Sequence, residues 1–193
     1  MQRRLQTGLQ TAANALRRVA DGANMAGGWL LLLLALVIGY DVVGRKFFNT
    51  GSVVLQDLEW HLHGAAIMLG FGAAYFHDAH VRVDLLRDRL ADRWKVLLEI
   101  AGILLFLIPY LVMLILFGVD YAHRAFVTGE GSVGGGGLDH RWVIKAFLPL
   151  GLGLVVLSGL GVLLQCLDYL RGAPSRPALL GSADHGPQTG PVS

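Results

Sequence analysis

Three groupings in this 193-residue chain combine residue types that do chemistry. Glu59 and His63 stand four positions apart, so on a helix they share a face, and a carboxylate beside an imidazole could relay protons or hold a cation. His61 or His63, set against His123 on another helix at similar depth, could supply the two axial ligands of a haem. His77 and His80, followed by Asp84, have spacing that could hold a metal if the segment is one continuous helix. Each reading depends on the elements that carry these side chains.

Those elements are membrane helices by composition. Hydrophobic residues make up 54% of the chain and charged residues 16%, and the mean hydropathy is +0.54, far from an ordinary soluble domain. The apolar residues gather into four blocks, each near the roughly 20 residues that cross about 30 Å of hydrocarbon. They fall at 23–43, 55–76, 96–122 and 142–170. The fold class expected is therefore an all-α integral membrane protein with four transmembrane helices. Little chain remains for a soluble domain, so any site must lie in the membrane or in short loops. The first block follows about two dozen residues and precedes "GYDVVGRKFF", which offers no small-x-small cleavage site, so it reads as a retained anchor. The single cysteine, Cys166, excludes an internal disulfide and reads as a small hydrophobe near the end of the fourth block.

Basic residues set the orientation. Eleven lie before the first block, between the second and third, or after the fourth, against Arg45, Lys46, Arg124, Arg141 and Lys145 on the other side. Both termini are expected in the cytoplasm. The connector "HDAHVRVDLLRDRL", residues 77–90, is then cytoplasmic. Its "HVRV" is β-branched and extended in character, which breaks the metal spacing, while Asp84 caps an expected arm helix over about 84–95. Leu86, Leu90, Trp94 and Leu97 give that arm an apolar stripe, although a solvated basic loop that merely fixes topology is the plainer reading. Residues 1–22 repeat the logic as an amphipathic segment, with Leu5, Leu9, Ala12, Leu16 and Val19 on one face. The tail, 171–193, holds four of the six prolines without helical period and is expected to be disordered.

The second block carries the strongest pattern. Gln56, Glu59, His63, Ala66, Gly70, Ala74 and His77 follow at steps of three or four and form one face. Polar groups occupy its outer turns, and a small-xxx-small track lies deeper, so the face should be buried against protein. A helix of the same chain and a second subunit are both open as its partner. Against transport chemistry at Glu59, both it and His63 lie within about two turns of the outer surface, and Asp41, Glu99, Asp120 and Asp168 fall toward block ends. "GEGSVG" at 129–134 matches the GxGxxG pattern but follows a membrane helix and continues into more glycine, so it reads as a flexible external loop. Pro109 and Pro149 lie inside the third and fourth blocks, where proline kinks a helix.

The stretch "GFGAAYFHDAHVRVDLLRDRL" and the Pro-started "PLGLGLVVLSGLGVLL" resemble the small membrane subunit of tripartite ATP-independent periplasmic (TRAP) transporters, the DctQ-like family, over roughly residues 25 to 170. His80 to Leu86 is the specific part of the match. The resemblance implies a small accessory subunit of a sodium-driven, binding-protein-dependent transporter for organic acids in the bacterial inner membrane. Its partners would be a large membrane subunit that moves as an elevator, a periplasmic binding protein reached through the complex, and membrane lipids. No catalytic residue, metal, cofactor or nucleic-acid partner is expected. The candidate partner or lipid interface is Gln56, Glu59, His63, Ala66, Gly70, Ala74, His80, Arg82 and Asp84. A haem-carrying membrane anchor of a redox complex is the alternative.

Overall fold

The computed structural model describes residues 2–77, 90–132 and 136–172, with side chains from Gly8 onward. Among them the regular elements are all helical: α1 (Gln2–Phe48), α2 (Val53–Phe76), α3 (Asp92–Gly102), a π turn (Ile103–Leu107), α4 (Ile108–Val127) and α5 (Trp142–Leu170).

Helix α1 has 47 residues, about 70 Å at the usual rise, and joins the amphipathic segment to the first apolar block without a break. A seven-residue repeat makes this possible. Ala13, Ala20, Gly27, Leu34 and Asp41 are buried at successive steps of seven, with Leu9, Leu16, Ala23, Leu30, Val37 and Gly44 half-buried between them. A strict heptad keeps one seam facing its neighbours along the whole helix. The stripe expected from the largest side chains is therefore displaced. Ala12 and Val19 are exposed, and Ala13 and Ala20 are buried instead, because a close helix contact selects small residues.

The chain reverses after Phe48 through Asn49, whose φ is 56°, and the amide of Thr50 donates to the carbonyl of Gly44 at 3.2 Å. The Ser52 hydroxyl caps α2 by accepting from the Leu55 amide. Helix α2 then runs antiparallel to α1, with Ala66 against Gly27 and His77 against Asp21.

The third long helix runs from Asp92 to Val127. Ala91 is extended (φ −64°, ψ 148°) and Asp92 lies in the first helical turn, so Asp92 to Lys95 begin this helix and do not end a separate arm. Residues 84–89 of the expected arm lie outside the described residues. Trp94 and Leu97 are exposed, whereas Val96 and Ile103 are buried against Val162 and Cys166. The π turn has a local cause. Pro109 lacks an amide hydrogen and its ring crowds the carbonyl four residues back, and just before it the Ile108 amide bonds to Ile103, five residues back.

Helix α5 is the hub, packing against every other helix of the bundle. A Cβ on Gly151 would lie 2.7 Å from the Met68 carbonyl oxygen, and one on Gly72 would lie 2.9 Å from the Leu154 Cβ. These are near backbone-to-backbone contacts, and α2 and α5 run parallel through them. On the other side Gly118 of α4 leaves room for the Pro149 ring, so the proline sits inside α5 where a neighbour accommodates it.

Three helices are long and apolar enough to cross a membrane: Gly8–Phe48, Asp92–Val127 and Trp142–Leu170. Helix α2 is not among them, because Gln56, Asp57, Glu59, His61 and His63 dilute its N-terminal half. Of the four crossings expected, three are matched by helices of this kind, and the segment expected to form the other is the more polar helix α2, packed between α1 and α5.

Leucine at Gly72 or Gly151 should lower the stability of the solubilised chain by about 1–3 kcal/mol each. Alanine at Gly153, on the same helix as Gly151 but with nothing within 4 Å, should not lower it and should raise it by up to about 1 kcal/mol through helix propensity. Thermal denaturation followed by intrinsic tryptophan fluorescence checks both.

Candidate functional site

The sequence-predicted face of α2 divides into two halves. Its inner half is covered by α1. Ala66 is buried, a Cβ on Gly70 would lie 3.5 Å from the Asn24 side-chain oxygen, Ala74 is half-buried, and His77 Nε2 lies 2.7 Å from the Asp21 carboxylate. The partner of this half is thus a helix of the same chain, chosen because small residues let two backbones approach.

The outer half is not covered. Gln56 and His63 are exposed and Glu59 is half-buried. Glu59 Oε1 is shielded from solvent yet has no hydrogen-bond partner among the described residues. Glu59 and His63 open into a groove of about 260 Å³ whose other walls are Leu34 and Ile38 of α1 and Trp60 of α2. A carboxylate and an imidazole thus share an apolar surface groove, an arrangement that can pair with a cation or accept a hydrogen bond. His80, Arg82 and Asp84 lie outside the described residues.

The histidine chemistry considered from spacing is not assembled. His61 Nδ1 lies 2.6 Å from the Asp57 carbonyl oxygen, one turn back on its own helix. His123 is exposed on α4, a helix that joins the bundle through α5, so it does not face His61 or His63 across a shared cavity. His77 is engaged with Asp21, and the described residues contain no group of three metal-ligating side chains.

The described residues of the loop between α4 and α5 make specific contacts, whereas residues 133–135 of the glycine-rich stretch lie outside the described residues. Asp57 Oδ2 accepts from the Leu138 amide at 3.1 Å and its carboxylate also bonds Ser132. Gly137 is required here, because a Cβ would collide with the Asp57 carboxylate and the Ser132 side chain. Arg141 donates its amide to the Glu130 carbonyl, and Lys145 reaches both the Glu130 carboxylate and the face of Tyr121, 3.9 Å from the ring centroid. Glycine density alone reads as flexibility. The signal for order was the acidic Asp57 near the start of α2, opposite a loop rich in unpaired amides.

Two further carboxylates were missed as groups that merely fall near block ends. Asp41 and Asp168 are 1% and 2% exposed. Asp41 continues the α1 heptad and is paired with Arg45. Asp168 accepts from Gln10 Nε2 at 2.9 Å, tying the start of α1 to the end of α5. Their positions on the buried stripes, Leu34 to Asp41 and Gly161 to Asp168, carried that information. A second groove, of about 460 Å³, runs beside the π turn between Tyr75, Phe106 and Tyr110, with the Tyr75 hydroxyl donating to Glu99 at 3.3 Å.

A protein-family model described as "Tripartite ATP-independent periplasmic transporters, DctQ component" matches residues 34–168, an interval that includes all of α2 to α4, most of α5 and the outer part of α1. No individual curated protein matches the chain. The matched interval covers more than half of the sequence and includes the α2 face, its groove and the glycine contacts on α5, and the chain therefore belongs to the DctQ component family of TRAP transporters.

Proposed function

We propose that the chain is the small scaffold subunit of a sodium-driven, binding-protein-dependent transporter for organic acids, bracing a large elevator subunit in the bacterial inner membrane. The observation that supports this best is the closed interior of a chain from a transporter-component family. Where α2 meets α5 the backbones touch through Gly72 and Gly151, and where α3 meets α5 the space is filled by Val96, Ile103, Val162 and Cys166. No room is left along those seams for a solute, so the substrate and sodium sites belong to the larger partner. The fit to an elevator is mechanical. A domain that shifts across the bilayer needs a fixed neighbour that resists tilting, and a rigid bundle anchored in lipid supplies it.

In this reading α2 is a fourth crossing. Its 24 residues span about 36 Å, enough for the hydrocarbon layer, and its polar outer half is held by the external loop through Asp57. Both termini then lie in the cytoplasm, as the distribution of basic residues favours. The N-terminal part of α1 and the residues that follow α2 contact lipid headgroups and the partner from that side.

Two experiments test the proposal. Cysteines placed singly at Gly51 and Gly136 should both react with a membrane-impermeant maleimide from the same outer face of intact cells, while native Cys166, fully buried, stays silent. Labelling of the two from opposite faces would mean that α2 does not cross. In proteoliposomes with a sodium gradient, the large subunit and binding protein should accumulate organic acid at least about tenfold faster with this chain than without it, a difference of roughly 1.4 kcal/mol in activation free energy. The chain alone should transport nothing; uptake by the chain alone contradicts the scaffold role.

A further inference from the structure

The buried carboxylates Asp41 and Asp168 each face an internal seam and each has a partner in the same chain, Arg45 and Gln10. Glu59 differs. Oxygens of all three carboxylates are shielded without a hydrogen bond, but Glu59 has no counterpart of Arg45 or Gln10 among the described residues, and its side chain opens to the molecular surface between Leu34, Ile38 and Trp60. A carboxylate shielded from water and left unpaired is costly. Among the described residues no cation pairs with it, and Arg45 of α1 is paired with Asp41.

The surroundings point outward. Gln56 lies one turn toward the start of α2 and His63 one turn beyond Glu59, both exposed, so three polar groups line one open stripe. Trp60, on the rim, is 75% exposed, an aromatic type enriched at the centres of protein interfaces. The outward faces of α3 and α4 contrast with this. Leu105 and Phe106 of the π turn between them and Leu116 and Phe117 of α4 are exposed and suit lipid chains. At 260 Å³ the groove is also smaller than the roughly 300–1,000 Å³ of small-molecule pockets and suits a side chain.

We infer that the α1–α2 groove is the docking site for a membrane helix of the large subunit, which inserts an arginine or lysine side chain between Leu34 and Trp60 to pair with Glu59. The inference rests on the scaffold reading and deepens it by naming the contact. The apolar walls would strengthen such a pair by excluding water, and His63 and Gln56 would hydrogen-bond the polar backbone or side chains on either side of the cation.

The test uses the complete transporter in native membranes. A photo-crosslinking benzoylphenylalanine replaces Trp60 in one variant and Phe117 in another. Crosslinks to the large subunit are expected from position 60 and not from position 117. Separately, Glu59→Lys should reduce the co-purified large subunit at least about tenfold, as expected for a like charge facing a buried cation, and Glu59→Gln should reduce it less, with gel filtration of each variant reporting folding. Crosslinks from position 60 only to lipid or to a second copy of this chain would overturn the inference, as would unchanged co-purification with Glu59→Lys, and either result would leave the scaffold reading standing if the wild-type chain still retains the large subunit. Failure of the wild-type chain to retain it would overturn both.

Discussion

The approach of α5 to α2, too close to admit a Cβ at Gly72 or Gly151, governs the rest of the bundle. Gly151 lies against the Met68 carbonyl and Gly72 against Leu154, so α2 and α5 can meet only where side chains are absent. Without water to drive helices together, such close packing supplies much of the cohesion in a membrane. It also fixes the register of α2, and α2 in turn sets where α1 can lie. The heptad of α1 follows the same rule, burying Ala13, Ala20 and Gly27 and reserving its larger buried residue, Leu34, for the point where α2 and α1 leave a groove.

The polar groups of the bundle divide between its packed seams and its surface. Asp41 and Asp168 are enclosed and serve as internal ties, and Asp57 holds the external loop. Glu59, by contrast, lines a surface groove with Leu34, Ile38, Trp60 and His63. This pattern of internal ties beside a carboxylate that lines a surface groove suits a subunit that works by contact. It agrees with membership in a family that forms one component of a tripartite transporter.

Much of this architecture was legible in the sequence because hydrophobic runs and helix ends leave strong local marks. The range of α5, Trp142–Leu170, follows directly from an uninterrupted apolar block, and the track Ala66, Gly70 and Ala74 marked a close helix contact. What was not legible depended on partners remote in sequence. Whether that track meets α1 or another subunit is decided by Gly27, some forty positions away. The buried face of the first 22 residues was assigned from side-chain size, while packing chose the smaller Ala13 and Ala20. Asp41 and Asp168 looked like end-of-block acids because hydropathy counts a carboxylate only as a cost, without regard to whether a guanidinium or amide lies one turn or one helix away. Asp92 to Lys95 looked like part of an arm because their charge separates them from the apolar block, yet backbone hydrogen bonding carries the helix through them.

The central claim is that this chain works as a fixed partner of a larger membrane protein, and affinity purification from detergent-solubilised native membranes tests it most directly, with mass spectrometry and an absorption spectrum of the same sample. A large polytopic membrane protein eluting with the chain, and no Soret band, is the result the account predicts. A Soret band accompanied by redox subunits, or a chain that elutes without any membrane partner, would contradict it.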